Sequence, residues 1–168
     1  GFCRRVCDAF VETVLAHEGG SAVFVVHGGT IMALMERFAV EQLPVVPGRI
    51  GVLGVNPLDL SDLRAAERIR AEYPGAVCYG MGSGLEDVKR AASAEKNIVA
   101  APSGLKAAKL LEQRFGTPYE VLDPLAPALL PAGDYGGKRI LVVHQQVTAN
   151  TLRQLLLERG AAAVEVLR

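Results

Sequence analysis

No stretch of this 168-residue chain stays apolar long enough to cross a bilayer; its longest strongly apolar runs, such as Ile140 to Val143, are strand-sized. The first residues lack the basic-then-apolar order of a secretory signal, so neither export nor membrane insertion is expected. Net charge is also missing. Eighteen Lys and Arg residues cancel 18 Asp and Glu residues, which leaves no field to draw the chain to nucleic acid or an anionic membrane. Cysteine is scarce: Cys3, Cys7 and Cys78 form an odd set too sparse for a disulfide framework, a usage that fits a reducing compartment, and the expected location is the cytoplasm. Two phosphate-binding signatures are absent as well. After Gly80-Met81-Gly82-Ser83-Gly84 the G-x-G-x-x-G spacing fails at Leu85, and no Gly-Lys-Ser/Thr follows, so the loop is neither a dinucleotide fingerprint nor a Walker loop.

What is present is a globular composition, 50% apolar and 21% charged, with the length for one domain or one and a fraction. The stretch from Tyr79 to Tyr119 organises the rest. A glycine-rich turn at 80–84 leads to a helix from Leu85 to about Glu95, and a strand from Asn97 to Ala101 follows. The turn Pro102-Ser103-Gly104 then opens a helix from Leu105 to Phe115, stopped by Gly116 and Pro118. Strands joined this way are parallel neighbours, and ligands of such sheets bind at the strands' carboxyl ends.

Taken in order, residues 2–17 have the spacing of an amphipathic helix, Ala22 to Val26 read as a buried strand ending at His27-Gly28-Gly29, and Thr30 is placed to cap a helix from Ile31 to about Ala39. Pro44 and Pro47 mark the best linker. Beyond it come a strand from Arg49 to Val55, a helix capped by Asp59 or Ser61 and running to about Tyr73, and a strand from Ala76 to Tyr79. Residues 120–137, rich in proline and glycine, read as a long loop. A strand from Lys138 to His144, a helix from about Val147 to Arg159 and a strand from Ala163 to Leu167 complete the chain. This alternation predicts an α/β fold: a Rossmann-like parallel sheet, or two smaller ones, with helices on both faces and a small partial α/β segment at the amino terminus.

Candidate site residues follow from that layout. His27, at a strand end beside two glycines, either faces a phosphate as an acid or base or is structural. Gly80, Gly82 and Ser83 either present amides to an anion or form a tight turn. His144 walls a cleft or faces solvent, and Ser103 and Asn150 are placed to hydrogen-bond a ligand near the switch point. Cys78 inside an apolar strand reads as a buried thiol, and Cys3 and Cys7 at i, i+4 read as helix packing more readily than as a metal pair. No metal ligands are assigned.

Two resemblances add to this reading. Val25-Val26-His27-Gly28-Gly29-Thr30-Ile31, after the preceding helix, resembles the carboxyl-terminal part of the histidine phosphatase family, the phosphoglycerate-mutase-like proteins, over about residues 1–40. That likeness implies a phosphate beside His27. The family's nucleophilic histidine comes from an arginine-histidine-glycine motif that this chain lacks, so turnover is not expected. From about residue 45 to 168 the chain is similar to nitrogenase component 1-type oxidoreductases, through Val52 to Leu60, Gly80 to Asp87, Asn97 to Gly104 and Leu110 to Tyr119. Its aromatic-Gly-x-Pro-aromatic sequence, Phe115-Gly116-Thr117-Pro118-Tyr119, is the most distinctive piece. Lys138 to Val143, Ala149 to Gln154 and Glu158 to Gly160 are similar to the start of that family's next Rossmann-like domain.

The second resemblance implies iron–sulfur or metal-cofactor chemistry in the family, with paired subunits. In this chain no cofactor is expected, because the cofactor-binding cysteine would fall near Ala100. The expected organisation is a phosphatase-like segment (1–43), a nitrogenase component 1-like Rossmann-type domain (44–131) and the start of a second such domain (132–168), the whole behaving as a fusion or fragment. Expected partners are a homologous subunit, a small-molecule ligand or a second copy of the chain. The alternative functions are a phosphate-binding, phosphatase-derived domain and a non-catalytic metabolite-binding or scaffold domain.

Overall fold

The computed structural model describes residues 2–17 and 28–167. Helix α1 (Phe2–Ala16) and helix α2 (Gly28–Phe38) precede strand β1 (Val46–Leu53). Helices α3 (Pro57–Leu60) and α4 (Ala65–Glu72) lead to β2 (Ala76–Cys78), and α5 (Leu85–Lys89) with a 3-10 turn leads to β3 (Ala94–Val99). Helix α6 (Leu105–Phe115) returns the chain to β4 (Tyr119–Val121), and β5 (Arg139–Val143), α7 (Gln146–Glu158) and β6 (Ala163–Leu167) complete it. The expected strand at 22–26 lies outside the described residues.

Both sheets are parallel. One has four strands in the order β2-β1-β3-β4, and the other pairs β5 with β6. Side chains alternate across the larger sheet, as the two-residue period of a strand requires. Val52, Cys78 and Ile98 point to one face, where Ala65, Ala66 and Ile69 of α4 cover them. Leu53, Tyr79 and Val99 point to the other, against Ala107, Ala108 and Leu111 of α6. Val11 and Val14 of α1 and Ile31, Leu34 and Met35 of α2 belong to that second core, so the amino-terminal helices dock on the sheet that follows them. The smaller sheet has its own core, Val142 and Val164 against Leu152 and Leu156 of α7.

Several expectations need correction. The helix from Leu85 does not reach Glu95: it ends at Lys89, a 3-10 turn covers Ala91–Ser93, and β3 has begun at Ala94, three residues ahead of Asn97. Ala94 pairs with Val46 and Glu95 accepts the Gly48 amide at 2.7 Å, so β1 claims residues with good helix propensity. That pairing also draws Pro47 into β1 instead of a linker, beside a register shift between Val46 and Ile50. The single helix between 59 and 73 is two. Asn56, not Asp59, caps the first, its Oδ1 accepting the Asp59 amide at 3.0 Å, and Ser61 at φ 53° ends it. Thr30 lies inside the first turn of α2 and is not its cap. Within the expected loop at 120–137 the structure places the end of β4 and a 3-10 turn, Ala126–Leu129.

Candidate functional site

The chain leaves β1 toward α3 and α4 on one face and leaves β3 toward α6 on the other, so the switch point falls between the carboxyl ends of these two strands. Two glycines let the loops there touch. A Cβ on Gly104 would sit 2.6 Å from the Leu53 carbonyl carbon, and one on Gly54 would sit 2.7 Å from the Ala101 oxygen. Over this contact Asp59 Oδ2 accepts hydrogen bonds from both Ser103 Oγ and Asn56 Nδ2. Ser103 is therefore at the switch point as expected, and its hydroxyl is engaged with Asp59. The composition of the loop held the signal for Asn56: Asn-Pro is an N-cap followed by proline at the first helical position.

The carboxyl end of β3 also meets α7. Gln145 caps α7 with its side-chain oxygen, which accepts the Val147 amide at 2.9 Å, while its Nε2 reaches the Ala100 carbonyl at 3.4 Å. Beside it, Thr148, fully buried, donates to Asp123 Oδ2 at 2.5 Å, and Asp123 Oδ1 accepts the Leu125 amide at 2.9 Å. The bonds from Thr148 to Asp123 and from Gln145 to Ala100 had no sequence signal, because they join residues on different elements.

The other candidates are dispersed. Gly80 and Gly82, at φ 96° and 81°, follow β2 at the sheet edge, and three of the turn's amides find partners inside the protein. The Gly80 amide donates to Ser83 Oγ at 3.2 Å, Met81 to the Cys78 carbonyl at 3.2 Å and Gly84 to Asp87 Oδ2 at 3.0 Å. Arg70 closes the turn by donating to the Met81 carbonyl at 3.2 Å. His144 is exposed just past β5. Asn150 is not at the switch point: it lies on α7 and lines a cleft of about 270 Å³ with Tyr73, Asp123, Pro124, Gln154 and Glu158. His27 lies outside the described residues.

The family profile of "Nitrogenase component 1 type Oxidoreductase" matches residues 26–129, more than half of the chain. This chain belongs to that family. The matched span begins at residue 26, ahead of the boundary expected near residue 44, and ends before β5. Among solved structures, one described as "Nitrogenase Cp1 at pH 6.5" overlays with a TM-score of 0.43 at 17% identity, over 83% of this chain and 43% of that one. The chain thus spans less than half the length of that structure. No curated protein matches it.

Iron–sulfur clusters occur in nitrogenase component 1-type oxidoreductases, and they need thiolate ligands. The described sulfur donors do not fit that need. Cys78 is buried on the α4 face of the sheet, its thiol 3.9 Å from the Ala66 carbonyl, and burial raises its pKa, offset in part by the Arg70 charge. A thiol so placed keeps its proton and is a poor ligand. Cys7 is half-buried on α1, and the Cys3 side chain lies outside what the structure describes. Among the described residues no three His, Cys, Asp or Glu side chains gather. Ala100 is fully buried and offers a backbone amide, bonded to the Leu53 carbonyl at 2.9 Å, and a carbonyl, but no side-chain donor. No helix among the described residues is long and apolar enough to cross a membrane.

Proposed function

We propose that this chain is part of a nitrogenase component 1-type oxidoreductase subunit, supplying a doubly wound scaffold and the start of the next Rossmann-like unit, with cluster ligands provided from outside the described residues. The family match over residues 26–129 carries the reading. The parallel order β2-β1-β3-β4 and the mismatch between the sulfur donors and a cluster support its two halves. In this reading the protein works with a homologous partner subunit and binds a small molecule at the carboxyl ends of β1 and β3, near Ser103.

Two boundaries accompany it, near residues 44 and 132. The separate core of β5, β6 and α7 supports the second. Nothing in the packing supports the first: α1 and α2 share a core with the sheet that follows, and the family match runs across residue 44.

Anaerobic purification followed by iron and sulfide analysis tests the proposal. Colourless protein on its own, acquiring iron only when co-produced with a homologous subunit, is the expected result. Stoichiometric iron and sulfide on the isolated chain would overturn the scaffold reading.

A further inference from the structure

The cleft of about 270 Å³ has Tyr73 of the α4 end and the chain after β4 on one side and α7 on the other, so both sheets' units contribute to it. None of the switch-point residues Asn56, Asp59 or Ser103 lines it, which separates it from the site at the ends of β1 and β3. Clefts between packed units are favoured places for small molecules. The charge of this one has a single sign. Asp123 and Glu158 are the charged residues in its described lining, with no Lys, Arg or His beside them. Asp123 is sealed at 4% exposure, yet its carboxylate makes no ion pair among the described residues and accepts from neutral donors, the Thr148 hydroxyl at 2.5 Å and the Leu125 amide at 2.9 Å. A buried carboxylate is ordinarily matched by a cation. Glu158, exposed, accepts Gln154 Nε2 at 3.0 Å through one oxygen and keeps the other for a ligand.

The two acids stand well apart. The Asp123 amide donates to Thr151 Oγ1 at 3.0 Å, which fixes that residue beside the second turn of α7, whereas Glu158 is the last residue of the helix. Glu158 therefore follows Thr151 by about 10 Å along the axis, at the usual rise per residue. Leu155 lies between them on the helix, and Leu122, Pro124 and Pro127 make the rest of the lining largely apolar. We propose that this cleft binds an aliphatic diamine, with one ammonium at Asp123, the other at Glu158 and the hydrocarbon chain along Leu155. A single metal ion cannot touch both acids across that span. A monoamine would leave one of them unmatched, and an anion would find no cation to meet it.

Titration of the full chain with cadaverine, followed through backbone amide chemical shifts, tests this. Saturable shifts should appear at Asp123, Thr151 and Glu158. The monoamine n-pentylamine should bind about tenfold more weakly, the factor that goes with losing one hydrogen bond between charged groups, and n-pentanol should not bind. Glu158→Gln changes an exposed side chain and spares the fold, so it should bring the cadaverine affinity down to that of n-pentylamine. Equal affinities for cadaverine and n-pentylamine in the parent chain would overturn the proposal. So would an unchanged cadaverine affinity in Glu158→Gln, or the absence of saturable shifts in the millimolar range.

Discussion

The Ser103 hydroxyl donates to the Asp59 carboxylate across the switch point, tying the turn after β3 to the helix after β1 over 44 residues of sequence. The same oxygen accepts from Asn56, so one carboxylate both steadies the cap of α3 and holds two loops together. A hydrogen bond to a charged acceptor is worth about 1.5–3 kcal/mol. Ser103→Ala should lower the urea-unfolding free energy by about that amount. Asp59→Ala should cost more, since it removes both hydrogen bonds and leaves the Ser103 and Asn56 donors without their acceptor, whereas Ser103→Ala removes one bond and strands no donor. Equal losses in the two variants would show that Asn56 draws nothing from Asp59.

Arg114 near the end of α6 makes a second long-range tie. Its Nη1 donates to the carbonyls of Met35, Glu36 and Ala39 at 3.3, 3.2 and 2.6 Å, at the carboxyl end of α2, where the Met35 carbonyl also accepts the Ala39 amide at 3.1 Å. Arg114→Ala should destabilise the protein by about 1–3 kcal/mol. Amide exchange of the last turn of α2 should accelerate along with it. Arg114→Lys, with a single compact charge, should recover only part of the loss. Unchanged exchange in α2 would mean the guanidinium adds nothing there.

Gly54 and Gly104 report on the same backbone contact. A methyl at either would press within 2.6–2.8 Å of main-chain atoms of the opposite loop, and Gly54 also sits at φ 78°. Gly54→Ala and Gly104→Ala should each cost at least about 1–3 kcal/mol as overpacking. Because both force the same two loops apart, the double variant should fall short of the sum of the singles in a thermodynamic cycle. Strict additivity would place the two glycines in independent contacts.

Stability should fall at alkaline pH. Burial raises the Cys78 thiol above 9.0 and the Tyr79 phenol from 10.0 to about 12, the latter against the opposing charge of Arg49. In each case the unfolded chain releases a proton that the folded chain retains. Below pH 9 both groups are protonated in both states and give no slope. Above it the folded state loses ground, first through Cys78 and then, between pH 10 and about 12, through Tyr79. At about 1.4 kcal/mol per pH unit the Tyr79 share is bounded at roughly 3 kcal/mol. Urea midpoints of Tyr79→Phe should therefore decline less steeply than those of the parent between pH 10 and 11. Parallel curves would show that the phenol is not protected.

Elements with strong local punctuation could be read directly. Helix α6 runs from Leu105 to Phe115 as its pattern requires, since Gly116 at φ 73° takes up the left-handed cap and Pro118 bars continuation. Strand β6 also keeps its expected span, Ala163–Leu167. Where local preference and pairing disagreed, pairing prevailed. Ala94 and Glu95 are good helix formers, yet they extend β3 because Val46 and Gly48 give them partners across the sheet. Strand β4 is three residues long and follows a proline, so it carries too little periodicity to notice; its pairing with Asn97, Ile98 and Val99 makes it a strand.

Amino-acid order alone was enough for the parallel α/β class, the alternation of elements and the position of Ser103 at the end of β3, because periodicity and capping act over a few neighbouring residues. It could not say that Ser103 would be bound to Asp59, that Gln145 would reach Ala100, or that Asn97 would pack over Gly51. Those relationships join residues 44–46 positions apart, and they exist only once helices and strands have packed. The chain's local preferences set which elements form. Burial and hydrogen bonding between distant elements chose which side chains meet.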